Sequence, residues 1–319
     1  MRFDRTIAAF AAALAFNTGA FAADQLKLAI GQRGNWENAA PHLGQQAGIF
    51  GRHGLELDLL YTQGAGETLQ AVVSGSVDVG IGVGTPGVMS AFAKGAPVRA
   101  IANSTTGAGD LFWYVPATSP VQTMKDTGGR SIAFSTNGSS THVTVLALMK
   151  QSGVDAKPVA TGNPASTFTQ TMSGQVDVGW SSPPFGIEAV DAGRIRIVAR
   201  GSDVPSFRTQ TVRFMITGAP TLAAKADAIA RFVQAYQETL DWMYSDDAAL
   251  KAYAEWVGIG PDLARKVRDG FYPKDSLRTN RLSGLDAAMK DAVDLKFLAR
   301  PLTDDQLAQL IRYPTAPSP

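Results

Sequence analysis

Ser139, Ser140 and Thr141 stand together in "STNGSST", directly ahead of a stretch with helical apolar spacing. Hydroxyls there, beside backbone N–H groups that have no partner inside the helix, suit a negatively charged or acceptor group. A plain N-cap accounts equally well for Ser139, and spacing alone does not separate the two readings. Nucleophilic chemistry at Ser139 or Ser140 would need a base. The chain has three histidines, His42, His53 and His142, on different elements, none with a second histidine at helix spacing. It has no G-x-S-x-G, no H-E-x-x-H and no Walker A loop, so no catalytic residue and no metal site are assigned. An exported hydrolase using one of these serines is the alternative outside binding.

Other loops carry recognition rather than reaction chemistry. "GQRGNW" brings a fixed cation, Arg33, and a flat apolar side chain, Trp36; "WSSPPF" brings Trp180 and Phe185. Together these suit a small anion with an apolar part. Each tryptophan could instead plug its own half of the molecule. Gly82 to Gly87, "GVGTPG", fits the dinucleotide pattern G-x-G-x-x-G, but no acidic residue follows on the next strand, "VRAIANS". Pro86 also removes an N–H where a pyrophosphate wants donors, so no nicotinamide or other cofactor is expected.

The elements that must position these loops repeat. "SGSVDVGIG" at Ser74 returns as "SGQVDVGWS" at Ser173. From Leu26 the pattern reads strand, helix, strand, helix, strand, helix, strand ("LKLAIG" to "VRAIANS"), and from Arg130 the same order recurs ("RSIAFS" to "RIRIVAR"). Short β-rich runs alternating with amphipathic ones give parallel sheets covered by helices. The repeated phrase marks one joint in two similar lobes, with Asp78 and Asp177 as structural caps of the turn. Val143, Leu146 and Met149 share one face of the helix after "STNGSST". Two extended runs, "LFWYV" and "VRFMI", carry the chain between lobes and form a hinge. Everything from Thr221 is helical and packs on the first lobe. Ligands in such sheets sit beyond the carboxyl ends of strands, which sends all the loops above to one cleft.

The ends and the composition set the compartment. Arg2 and Arg5 precede the apolar run "IAAFAAALAF", and Ala20-Phe21-Ala22 has the small-x-small form of a cleavage site. The run is too short to span a bilayer, which takes about twenty apolar residues. Residues 1–22 therefore read as a signal peptide of an exported protein. Cysteine is absent, which excludes disulfides, thiolate zinc sites and a lipid-bearing N-terminal cysteine. The 29 basic and 28 acidic residues, less Arg2, Arg5 and Asp4 of the leader, balance. Such a chain has no electrostatic bias toward nucleic acid or lipid.

With "LKLAIG", "GQQAGIFGRHGLELDL", "QGAGETLQAVVSGSVDVG", "RSIAFSTNGSSTH" and "SGQVDVGWSSPPF" in this order, the chain resembles the periplasmic substrate-binding proteins of the nitrate/sulfonate/taurine class of ABC transporters, whose wider family includes thiamine-pyrimidine binders. The resemblance implies an α/β, two-lobed periplasmic-binding-protein (type II) fold: a signal peptide at 1–22, lobe one at 23–112 plus 214–319 and lobe two at 113–213. It implies a periplasmic, monomeric receptor that binds a small solute in the interlobe cleft, closes about a hinge and docks transiently on an inner-membrane ABC permease. It adds Asn35, Thr85, Pro86 and Pro184 to the ligand-binding set of Arg33, Trp36, Ser139, Ser140, Thr141, Trp180 and Phe185. The solute expected is an organic sulfonate or carboxylate, aromatic ones included, and a thiamine-pyrimidine receptor is the alternative. The aromatic loops argue against bare nitrate, which has no face to stack. A fungal enzyme of the wider family uses a cysteine-rich segment, a lysine-bound cofactor and a sacrificial histidine; "YTQGAGETL" carries neither lysine nor histidine.

Overall fold

The computed structural model describes residues 23–314; the expected signal peptide, residues 1–22, lies outside them. Ten strands form two sheets' worth of structure: β1 (Asp24–Ile30), β2 (Leu55–Tyr61), β3 (Val79–Gly84), β4 (Val98–Thr106), β5 (Phe112–Pro116), β6 (Ser131–Phe134), β7 (Lys157–Ala160), β8 (Gly179–Ser181), β9 (Ile195–Arg200) and β10 (Thr211–Gly218). The first sheet has the order β2-β1-β3-β10-β4. In the second lobe β8-β5-β9 and β6-β7 are joined where Ile132 bridges Val178, giving β7-β6-β8-β5-β9. The two orders correspond strand for strand. In each, β5 or β10 runs antiparallel to both of its neighbours while the remaining pairs are parallel.

The runs expected to form the hinge are thus mostly sheet. "LFWYV" is buried in the second sheet, and "VRFMI" lies inside the first, buried on both faces as interior strands are, with Arg213 the one charge in them. Phe112 pairs with Ser181 and Arg200, whereas Thr211 to Arg213 pair with β3 and β4. The chain changes lobes after Thr106 and again after Arg200. The two crossings are tied by Gly107 N–H to the Gln210 carbonyl, 2.9 Å, and Ala108 N–H to the Phe207 carbonyl, 2.8 Å.

Helices fill the gaps between strands and then extend the first lobe. They are α1 (Ala40–Gln46), α2 (Ile49–Arg52), α3 (Ala65–Val73), α4 (Thr85–Ala93), α5 (Ser140–Ser152), α6 (Pro164–Met172), α7 (Ile187–Asp191), α8 (Ala219–Ala224), α9 (Ala226–Ser245), α10 (Asp247–Val257), α11 (Pro261–Phe271), α12 (Leu285–Asp294) and α13 (Asp304–Leu310). In α9, Ile229, Phe232, Tyr236, Leu240 and Met243 recur at three- and four-residue intervals and are buried on the side that packs against α1, α2 and β2. The helix expected from Thr221 breaks at Lys225, whose Nζ turns back to Asp78 Oδ2 at 2.9 Å. The C-terminal helices also reach lobe two: Leu295 and Phe297 pack on its core, and Lys266 pairs with Asp191. Among the described residues no helix is long and apolar enough to cross a membrane.

The repeated phrase does one job twice. Asp78 Oδ2 accepts the N–H of Lys27 at 2.9 Å; Asp177 Oδ2 accepts the N–H of Ser131 at 2.8 Å. Asp78 ties the start of β3 to β1, and Asp177 ties the start of β8 to β6. Before each, a helix ends at Gly75 or Gly174, at φ of +74° and +76°, where an L side chain would be strained.

Candidate functional site

Gly31 and Gln32 follow β1, Gly82 lies in β3, Ser135 follows β6 and Trp180 lies in β8. All of them line one cavity between the lobes, together with Glu37, Asn38, Ser139, Ser140, Thr141, Ser182 and Arg213. The cavity is small, about 20 Å³. The lobes are in contact around it. Gly66 N–H donates to Thr136 Oγ1 at 2.9 Å, Asn163 Nδ2 to Gln63 Oε1 at 2.6 Å, and Tyr272 Oη to the Pro183 carbonyl at 3.0 Å. Gly84 and Gly87 of the "GVGTPG" loop lie against Gly138 and Ser139. A Cβ on Gly84 would sit 2.7 Å from Gly138 O. Those glycines permit lobe-to-lobe approach, which is a different use from cradling a pyrophosphate.

The start of α5 is built from lobe two's own hydroxyls. Ser139 Oγ accepts from His142 N at 3.1 Å and is the N-cap. Thr141 Oγ1 accepts Ser135 N–H at 2.9 Å. The N–H groups of Ser140 and Thr141 precede the first carbonyl that could reach them in the helix, and so remain for an acceptor. Gly138, at φ of +79°, turns the loop, and its N–H donates to His142 Nδ1 at 3.2 Å. That bond requires the neutral ring, and burial lowers the His142 pKa accordingly. Trp180 adds a donor: it is 1 % exposed, and its Nε1–H has no acceptor in the protein.

The cavity's charged floor was not foreseen. Arg213 on β10, 4 % exposed, donates through Nη1 to Glu37 Oε2 at 3.0 Å, through Nη2 to Asp110 Oδ2 at 2.9 Å and through Nε to Ser140 Oγ at 2.9 Å. Glu37 Oε2 also takes the Thr105 hydroxyl, and the Glu37 carbonyl is held by Tyr236 Oη at 2.9 Å. Burial pushes the Glu37 pKa up, against the pull of Arg213. Burial also acts against the Arg213 charge, but Asp110 and Glu37 outweigh it and hold the pKa above its ordinary value. An arginine inside the apolar run "VRFMI" was the available signal, since an unpaired charge there would be prohibitive.

The expected residues divide into three groups. Ser139, Ser140, Thr141 and Trp180 line the inner cavity. Arg33 and Phe185 border an outer chamber of about 160 Å³ with Tyr61, Gln63 and Pro164, and Gln32 borders both spaces. Arg33 is exposed, and its guanidinium stacks 4.8 Å over Trp256 and donates to the Trp256 carbonyl at 2.9 Å. Burial pushes the neighbouring Tyr61 hydroxyl up to about 12. The others face away from the cavity. Trp36 is fully enclosed by lobe one, edge-on to Tyr244 and Tyr253, with Nε1–H on Tyr244 Oη at 3.0 Å. Thr85 Oγ1 donates to the Thr211 carbonyl at 2.9 Å, and Pro86 packs near Val143 and Phe207. Asn35 and Pro184 are buried at the rim, where Asn35 Nδ2 donates to Ser182 Oγ.

Solved structures of the same architecture cover nearly the whole chain. The alkanesulfonate-binding protein SsuA from Xanthomonas axonopodis pv. citri, bound to MOPS, is 21 % identical over 92 % of this chain and 96 % of its own, with a TM-score of 0.73. A Candida albicans gene product with the generic periplasmic binding protein fold is 16 % identical, covering 93 % and 98 %, with a TM-score of 0.74. The periplasmic nitrate-binding protein NrtA from Synechocystis PCC 6803 is 13 % identical, covering 91 % and 86 %, with a TM-score of 0.70. These likenesses establish the periplasmic-binding-protein fold. No curated protein sequence matches the chain. Residues 35–249, spanning both lobes, match the model of the NMT1/THI5-like proteins, and the chain belongs to that family.

Proposed function

We propose that this protein is the extracytoplasmic solute receptor of an ABC importer and holds a small organic anion, a sulfonate or carboxylate, between its lobes. The observation that carries the reading is the interlobe cavity whose lobe-two wall presents donors: the N–H groups of Ser140 and Thr141 and the unpartnered Nε1–H of Trp180. A group with acceptor oxygens satisfies all three. Its organic remainder would extend past Gln32 into the outer chamber beside Arg33 and Phe185. The similar structures include sulfonate- and nitrate-binding proteins described as periplasmic, which supports a periplasmic site of action and an inner-membrane permease as transient partner. A monomer suffices for the task, with the lobes closing about the paired crossings that follow Thr106 and Arg200.

Binding without chemistry is the favoured reading over a hydrolase. Ser140 Oγ accepts from Arg213, which cannot take a proton at ordinary pH, and Ser139 Oγ is occupied as a helix cap. Native mass spectrometry of exported protein tests the proposal. The expected result is one small acidic molecule released chemically unchanged. Recovery of a hydrolysed product, or no stabilisation by any sulfonate or carboxylate at millimolar concentration, overturns it.

A further inference from the structure

One stretch near the C-terminus is held by both lobes. Just before α12, the Ser283 carbonyl accepts the N–H of Thr211 on β10 at 2.8 Å. Along the helix, Asp291 Oδ2 accepts Nε2 of Gln210, on the second crossing, at 3.3 Å. The far end leans on lobe two, where Lys150 Nζ of α5 pairs with Asp294 Oδ2 at 3.1 Å. The helix then stops in a defined turn. Phe297 N–H reaches back to the Ala292 carbonyl at 2.8 Å and Lys296 N–H to the Val293 carbonyl at 3.0 Å, with Lys296 at φ of +63°. Glycine usually fills that left-handed position. A lysine there is strained and is kept only where the surrounding contacts fix it. What the turn delivers is Phe297, whose side chain packs against the cores of both lobes.

In lobe two the Phe297 ring meets His142. Their centres are 5.4 Å apart with the planes at 80°, while His142 also stacks on Phe134 at 4.1 Å. Both arrangements are favourable for aromatic pairs. An imidazole held by two rings has little freedom to turn, and its Nδ1 stays on the Gly138 N–H at 3.2 Å. Gly138 opens the turn that presents the N–H groups of Ser140 and Thr141, and its carbonyl faces Gly84 and Gly87 of lobe one. Direct contacts therefore run from the C-terminal segment to the loop that faces the cleft.

We infer that Phe297 is a positioning residue: acting through His142, it holds the Gly138–Thr141 loop in the conformation that faces the cleft and lobe one. Residues 283–298 are then a third tie between the lobes, added to the two covalent crossings. The benefit to ligand affinity rests on the reading of the cleft as a receptor site; the positioning itself does not.

Amide hydrogen exchange of the full mature protein, resolved by NMR without ligand, tests the role. Wild type is compared with Phe297→Ala, His142→Phe and the double variant. Gly162 N–H, which donates to the Ser135 carbonyl at 3.1 Å in the same lobe, is the control. The expected result is exchange at Gly138 at least tenfold faster in Phe297→Ala, with Gly162 changed by less than twofold. Adding Phe297→Ala to His142→Phe should then accelerate Gly138 by less than twofold, because the acceptor it acts through is gone. Phe297→Tyr, which keeps the ring, should exchange as wild type does. Unchanged exchange at Gly138, equal acceleration at Gly138 and Gly162, or the same acceleration with and without His142 overturns the inference. If Phe297→Ala does not fold, Phe297→Leu, which keeps apolar bulk and loses the ring, is read in the same way. No ligand enters the measurement, so an overturning result leaves the receptor reading standing.

Discussion

Arg213 in the first lobe and Ser140 in the second are joined by a hydrogen bond of 2.9 Å from Nε to Oγ, across the floor of the cleft. One guanidinium therefore bridges Glu37 of lobe one and Asp110, which lies past the first crossing, and also donates to lobe two through Nε.

Arg213→Met should cost about 3–5 kcal/mol of folding stability at neutral pH, because it strands buried carboxylates. Glu37 loses the cation that opposes its burial, so its folded pKa rises further above the ordinary 4.5. A carboxylate with a raised folded pKa is stabilising below its unfolded value and loses that contribution as pH rises. The deficit relative to wild type should therefore shrink on acidification toward 4.5 and widen above it. Urea unfolding of both proteins across that range measures it; a pH-independent deficit would mean the carboxylates are already solvated.

Gly87→Ala should separate closure from folding. Alanine is the better helix former by up to about 1 kcal/mol, and Gly87 lies in the first turn of α4. Its methyl group, however, would overlap the Gly138 carbonyl of the other lobe. The expected outcome is an unchanged or slightly higher melting temperature, a larger radius of gyration by X-ray scattering, and ligand affinity reduced by at least tenfold. A variant as compact as wild type would show that Gly138 moves aside.

Trp180→Phe removes a donor that has no acceptor in the protein, so folding should survive with little loss. Affinity for the acidic ligand should fall about tenfold, the equivalent of about 1.4 kcal/mol, if the indole N–H meets an ionised oxygen. Calorimetry on the folded variant is the measurement, and undiminished affinity would place the acid elsewhere.

His142 should make the protein acid-sensitive. Burial lowers its pKa below the ordinary 6.5, so the unfolded chain takes up a proton first as pH falls. Stability from this residue is complete above 6.5 and is lost below it, by at most about 1.4 kcal/mol per pH unit. His142→Phe keeps the stacking against Phe134, 4.1 Å between ring centres, and removes the titration. Wild type minus variant should be flat above neutrality and decline toward pH 5; a flat difference throughout would mean the ring stays solvated.

Local signals carried most of the architecture. The duplicated "VDVG" placed Asp78 and Asp177 at equivalent joints because both do the same backbone-tethering work. Ser139 was legible as a cap for the same reason: capping depends on residues a few positions away. What depended on distant partners was not legible. Trp36 has loop neighbours in sequence, but Tyr244 and Tyr253 from the C-terminal helices enclose it. The Glu37–Arg213–Asp110 cluster draws on three separated segments, and only the oddity of a charge in "VRFMI" hinted at it.

The insertion of β10 between β3 and β4 also sets an order of assembly. A chain leaves the ribosome or a translocation channel N-terminus first. Lobe two's five strands run uninterrupted from Phe112 to Arg200, so that sheet has all its parts before β10 has emerged. Lobe one, begun earlier, holds β3 and β4 apart with unpaired edges until residues 211–218 arrive. Open apolar edges are where strands pair wrongly. The lobe that starts first finishes last, and its waiting edges are the stretch of the nascent chain in most need of cover.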